Sequence, residues 1–131
     1  MSTTIDVKTE LQQRLDEFSN VYRTGIWEDL IEFYTPDAIM QGRTDITAIK
    51  RLITQYMVEY DDIRFTITDT GTIGKDGLVY STIAFNLHKR GEKVAEPGKE
   101  ICIWKKNGDK FCFHRAVWNA DEAIETYTKH I

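Results

Sequence analysis

The chain has 131 residues, 41% hydrophobic and 29% charged, with a formal net charge of −4 and a pI of about 5.4. One domain over residues 1–131 is expected, able to bury about two-thirds of the surface its unfolded chain exposes. The acidic balance argues against electrostatic capture of nucleic acid. No run approaches the ~18 apolar residues of a membrane span, and "MSTTIDVKTELQQRLDEF" lacks the apolar core of a signal peptide. A cytoplasmic protein with neither nucleic-acid nor membrane partner is therefore expected.

Over residues 5–22, Leu11, Leu15, Phe18 and Tyr22 recur at helical spacing, while Glu10, Gln13, Arg14 and Glu17 hold the opposite face. After Gly25, the stripe Trp27, Leu30, Ile31 and Tyr34 predicts a second helix, stopped by Pro36. "DAIMQG" is too short for a helix and reads as a brief strand ending at Gly42. A third helix opens with Thr44 or Asp45 as N-cap and carries Ile46, Ile49, Ile53, Tyr56, Met57 and Tyr60.

Beyond Asp61 the period changes to two. "IRFTITDTGTI" sets Ile63, Phe65 and Ile67 against Arg64, Thr66 and Thr68, and "KDG" marks a turn. "LVYSTIAFNLHKRG" is a second long strand, "KRGEKVAEPGK" a polar exposed loop, and "EICIWKKNGDKFCFHRAVWN" a hairpin with Asn107 and Gly108 at its tip. A charged tail with a weak helical pattern follows. Helices first and a mainly antiparallel sheet after them predict an α+β protein whose helices cover one sheet face. Three helices on a strongly curved sheet leave a concave pocket between them.

A two-residue turn at Asn107-Gly108 would pair Lys106 with Asp109. Ile101, Ile103, Cys112, His114, Ala116 and Trp118 would then share one face, with Glu100, Cys102, Trp104, Phe111, Phe113, Arg115 and Val117 on the other. That register pairs Glu100 with Arg115 and holds the two cysteines apart. Both faces are apolar, so both are expected to be covered.

The element order, "GIWEDLIEFYTPDAIMQG" and the last-strand ending "AVWN" together resemble the nuclear-transport-factor-like superfamily over roughly residues 5–120. That group of cystatin-like cones includes ketosteroid isomerase, SnoaL-like polyketide cyclases and the association domain of calmodulin-dependent kinase. The resemblance implies a cone of three N-terminal helices on a strongly curved, mixed or antiparallel sheet that encloses a pocket, with homodimers formed through the outer sheet face. Carried over by position, it turns Trp118, Ala116 and His114 inward. Trp104, Phe111, Phe113 and Arg115 become the expected dimer face. The expected ligand-binding walls are Phe18, Tyr22, Met40, Ile53, Met57, Phe85, Ile101, His114 and Trp118.

The family's chemistry transfers poorly. An isomerase base on the short strand would fall at Gly42, with Met40 its inward neighbour; the oxyanion tyrosine would fall near Phe18, and the second acid at Ile101. A cyclase-like "EHWD" matches "FHRA", which keeps His114 but replaces the acid with Ala116. His114 is then the candidate catalytic acid or base, since an imidazole titrates near neutrality. A buried histidine satisfied by a tyrosine, backbone or water is the plainer reading. His88 reads as a solvated strand end, and His130 belongs to the tail. Glu59, Asp61 and Asp62 do not converge on a metal, and the cysteines lack zinc spacing, so no metal or cofactor is expected. The sequence supports a small, mainly apolar ligand in the pocket. It leaves open an association module with a vestigial pocket, and a lyase-, isomerase- or cyclase-type enzyme using His114.

Overall fold

The computed structural model describes residues 6–119; the tail and His130 lie outside the described residues. Two α-helices, α1 (Val7–Tyr22) and α2 (Ile46–Glu59), and a 3-10 helix (Trp27–Phe33) cover a five-stranded sheet. The strands are β1 (Tyr34–Met40), β2 (Tyr60–Ile73), β3 (Leu78–Lys89), β4 (Ala95–Asn107) and β5 (Lys110–Trp118). Their spatial order is β1-β5-β4-β3-β2, with β1 parallel to β5 and all other pairs antiparallel.

Local chemistry sets the helix starts. The Asp6 carboxylate accepts from the Thr9 N–H at 2.8 Å, and the Asp45 carboxylate from the Ala48 N–H at 2.8 Å. The chain leaves α1 through Gly25, whose φ of +73° suits glycine. The second helix differs from the α-helix expected. Trp27, Leu30 and Phe33 are buried and Ile31 is exposed. That spacing of three fits the three residues per turn of a 3-10 helix. Tyr34 already belongs to β1, so β1 starts earlier than "DAIMQG" suggests. Pro36 is tolerated there because β1 is an edge strand.

Arg14 ties α1 to the sheet. Its guanidinium lies 3.9 Å over the Phe33 ring and donates to the Phe111 carbonyl at 2.9 Å, and to the Glu32 carbonyl at 3.3 Å. Gln12 pairs with the edge strand β2 as a backbone would, donating to the Phe65 carbonyl and accepting from the Ile67 N–H, both at 2.9 Å. Such contacts satisfy backbone groups that the sheet leaves open.

The expected exposed loop at 89–99 is shorter. Ala95 to Lys99 belong to β4, with Glu96, Pro97 and Gly98 opposite Leu87, Asn86 and Phe85. β5 stops opposite Glu100, so this end of β4 lacks a strand neighbour on one side and accommodates a proline.

The hairpin register also differs. Asn107 pairs with Lys110 and Trp104 with Phe113, after which the register shifts so that Ile103 pairs with Arg115 and Glu100 with Trp118. His114 is the extra residue of a β-bulge. In a regular strand Phe113 and Trp118, five residues apart, would face opposite ways. The bulge puts both on the helix-covered face, with Glu100, Cys102 and Trp104.

This overturns the expected dimer face. Trp104, Phe111 and Phe113 are 0%, 4% and 4% exposed, packed in the core beneath α1 and the 3-10 helix. Phe113 contacts the rings of Phe18, Tyr34 and Trp104 at centroid distances of 5.2, 5.3 and 4.7 Å. Of the four residues, Arg115 alone lies outward, opposite Ile103 rather than Glu100. Cys102 and Cys112 are free and buried on opposite faces.

Candidate functional site

A cavity of about 50 Å³ opens between the helices and the sheet. Helix α1 supplies Phe18 and Tyr22, β1 supplies Tyr34 and Met40, and α2 supplies Ile53 and Tyr56. The sheet closes it with Ile63 and Phe65 from β2, Phe85 and Leu87 from β3, Glu100 from β4, and Phe113 and Trp118 from β5. The walls are almost wholly apolar and aromatic, which is the usual make-up of a small-molecule site.

The walls are braced. Trp118 donates from Nε1 to the Tyr56 hydroxyl at 2.8 Å. Its backbone is clamped by Gln41, which donates to the Trp118 carbonyl at 2.7 Å and accepts from its N–H at 2.8 Å. The Tyr22 hydroxyl donates to the Tyr60 carbonyl at 3.0 Å. On the sheet side, a Cβ at Gly98 would collide with the Phe85 ring and the Asn119 side chain, so glycine lets both approach β4 closely.

Glu100 is the exception to this lining. It is 8% exposed, and among the described residues its carboxyl has no hydrogen-bond partner or counter-ion. No fully enclosed side-chain oxygen there is left unpaired, so the carboxyl oxygens open on the cavity. Burial among aromatic rings pushes the carboxyl up to about 8, because desolvation disfavours its charged form. The Tyr34 hydroxyl is also without a partner among the described residues, and burial raises it further above the usual phenol range.

Of the expected walls, Phe18, Tyr22, Met40, Ile53, Phe85 and Trp118 line the cavity. Three do not. Met57 is buried in the core away from the wall. Ile101 is half-buried on the outer face, since Glu100 takes the inward position. His114 sits at the bulge, away from the cavity, with its side chain 12% exposed.

The Thr35 hydroxyl lies 2.9 Å from His114 Nδ1, with the Asp37 carboxylate at 3.5 Å and the Arg115 guanidinium at 3.3 Å. Desolvation first, and Arg115 second, hold the imidazole below its ordinary value. Threonine rather than tyrosine therefore satisfies it. The expected role of His114 as an acid or base inside the pocket does not survive this placement. His88 bonds Asp61 at 2.6 Å on the exposed end of the sheet, and that bond raises its pKa. Among the described residues no three His, Cys, Asp or Glu side chains gather into a metal-binding set.

Sequence reasoning passed over Glu100 by assigning it an outward pair with Arg115. The available signal was the spacing of Glu100, Cys102 and Trp104. That alternation sets the carboxylate on the same face as a tryptophan too large to be left in solvent.

No family model matches the chain, and no curated protein matches it in sequence. Solved structures do match in shape. A protein named Rd1NTF2_05, carrying five substitutions, superposes with a TM-score of 0.72 at 13% identity, covering 87% of this chain and 100% of that one. A Xanthomonas campestris protein, provisionally named a calcium/calmodulin dependent protein kinase II association domain, gives 0.69 at 15% identity, covering 90% and 91%. An NTF-2 like protein of unknown function from Shewanella oneidensis MR-1 gives 0.65 at 12% identity, covering 83% and 95%. At such identities the likeness establishes the fold alone. This chain has the nuclear-transport-factor-2-like fold.

Proposed function

We propose that this protein binds a small, mainly apolar molecule in the cone cavity, with Glu100 and the Tyr34 hydroxyl as its polar contacts. The observation that carries this reading is the unpartnered Glu100 carboxyl. A carboxyl that faces an apolar cavity is costly to ionise unless something pairs with it, and a ligand in the cavity would pair with it. The surrounding aromatic rings offer the large apolar contact that a small ligand needs.

A thermal-shift screen of small aromatic and aliphatic compounds, read alongside Trp118 fluorescence, tests the reading. A binder at 100 times its dissociation constant adds about 2.7 kcal/mol of stability. Ile53→Trp, which fills the cavity, should abolish the response, whereas His114→Ala should keep it. A screen without hits, or hits that bind the filled variant equally well, overturns the proposal.

The homodimer expected through the outer sheet face is retained with different residues. Ile101 and Val117 pair on that face, beside Ile103 and Arg115, and Val117 is 41% exposed. The likeness to the Xanthomonas protein named for an association domain supports the same reading. Sedimentation at micromolar concentration should show a dimer that Val117→Arg splits into folded monomers; a monomeric wild type contradicts it.

A further inference from the structure

We infer that the cavity selects a small apolar amine, bound as its ammonium ion, with Glu100 as the counter-charge and the aromatic walls around its apolar body. This rests on the ligand-binding reading above and names the ligand's class.

Three observations converge. Among the described residues, the cavity lining contains one carboxylic acid and no lysine, arginine or histidine. It offers no free N–H from a side chain, because the Trp118 indole is committed to Tyr56. What remains open is a carboxyl, the Tyr34 and Tyr56 hydroxyls and the π-faces of aromatic rings; the carboxyl once ionised and the ring faces both favour a cation that donates hydrogen bonds. An anionic ligand would find no cationic side chain among the described lining residues, would face the negative faces of the aromatic rings, and would be repelled by Glu100 wherever that carboxyl ionises. A neutral carbonyl ligand would use the carboxyl as a donor, and would gain nothing electrostatic from the rings.

The pairing has a defined proton balance. With its value raised to about 8, Glu100 is mostly protonated at pH 7 in the empty cavity. Binding an ammonium ion ionises it, and the carboxyl proton leaves to solvent. Most of a proton is then released per ligand at pH 7. The other titratable groups around the cavity are Tyr22 from α1, Tyr34 from β1 and Tyr56 from α2, with Cys102 beside Glu100 on β4. Burial raises Tyr22, Tyr34 and Cys102 further from neutrality. The release is therefore assigned to Glu100.

Calorimetry with phenethylamine, phenethyl alcohol and phenylacetate, against wild type and Glu100→Gln, decides the matter. Wild type should bind the amine at least tenfold tighter than the alcohol at pH 8 and should not bind phenylacetate. Amine affinity should rise nearly tenfold per pH unit between pH 6 and 7.5, and buffers of different ionisation heat should report the released proton. Glu100→Gln should weaken the amine at least thirtyfold and abolish the proton release, while changing the alcohol less than threefold. If the alcohol binds as well as the amine, or the glutamine variant keeps the amine, the amine assignment falls and the ligand-binding reading stands. If none of the three binds wild type, both fall.

Discussion

Glu100→Gln makes the protein more stable at pH 9 and leaves its stability nearly unchanged at pH 4. In the folded chain the carboxyl titrates at about 8, against 4.5 for an ordinary glutamate, so between those values the folded state holds more protons than the unfolded state. Stability then falls as pH rises through that window, and the loss is complete above the folded value. The full penalty is about 3–5 kcal/mol, large beside a typical net stability of 5–15 kcal/mol. Glutamine keeps the shape and a polar group but cannot ionise, so the variant escapes the penalty. Urea melts of both proteins from pH 4 to pH 9 check this. The curves should coincide at the acid end and separate progressively towards pH 9. Parallel curves would mean that Glu100 reaches water.

Phe113→Ala should cost about 3–5 kcal/mol, and Phe113→Glu should unfold the protein rather than merely separate subunits. Phe113 sits between Phe18, Tyr34 and Trp104 with 4% exposure, so truncation opens a cavity that three neighbouring rings cannot all collapse into. Circular dichroism separates this from an interface effect. If Phe113→Glu kept a native spectrum as a monomer, the residue would belong to a surface and the bulge would be misplaced. Val117→Ala, on the outer face, should stay within about 1 kcal/mol of wild type.

The element order was legible because its signals are local. The α1 stripe Leu11, Leu15, Phe18 and Tyr22, the Asp45 cap and the alternation through Phe65 and Ile67 each need only neighbours in sequence. Their buried stripes match the structure, except that Arg14, expected on the opposite face of α1, is buried as well. The 3-10 helix was misread because Trp27, Leu30 and Ile31 fit an α-helical stripe as well; Phe33 breaks the tie in favour of a spacing of three. The cavity walls Phe18, Tyr22 and Ile53 followed from the same stripes, whereas on α2 Tyr56 rather than Met57 is the second wall residue. The hairpin faces did not, because a single bulge at His114 reverses which residues of β5 point inward, and no local residue preference announces it. Anchoring the face on Trp118 then carried the error back along the hairpin. It sent Phe113 and Glu100 outward and brought Ile101 and His114 in.

The hairpin turns Glu100 into an apolar cavity where no described residue answers its charge. Carboxyl carbon NMR tests it most directly, with the Glu100 resonance assigned by its loss in Glu100→Gln. A titration midpoint near 8 is expected in the unliganded protein. A midpoint near 4.5 would contradict it.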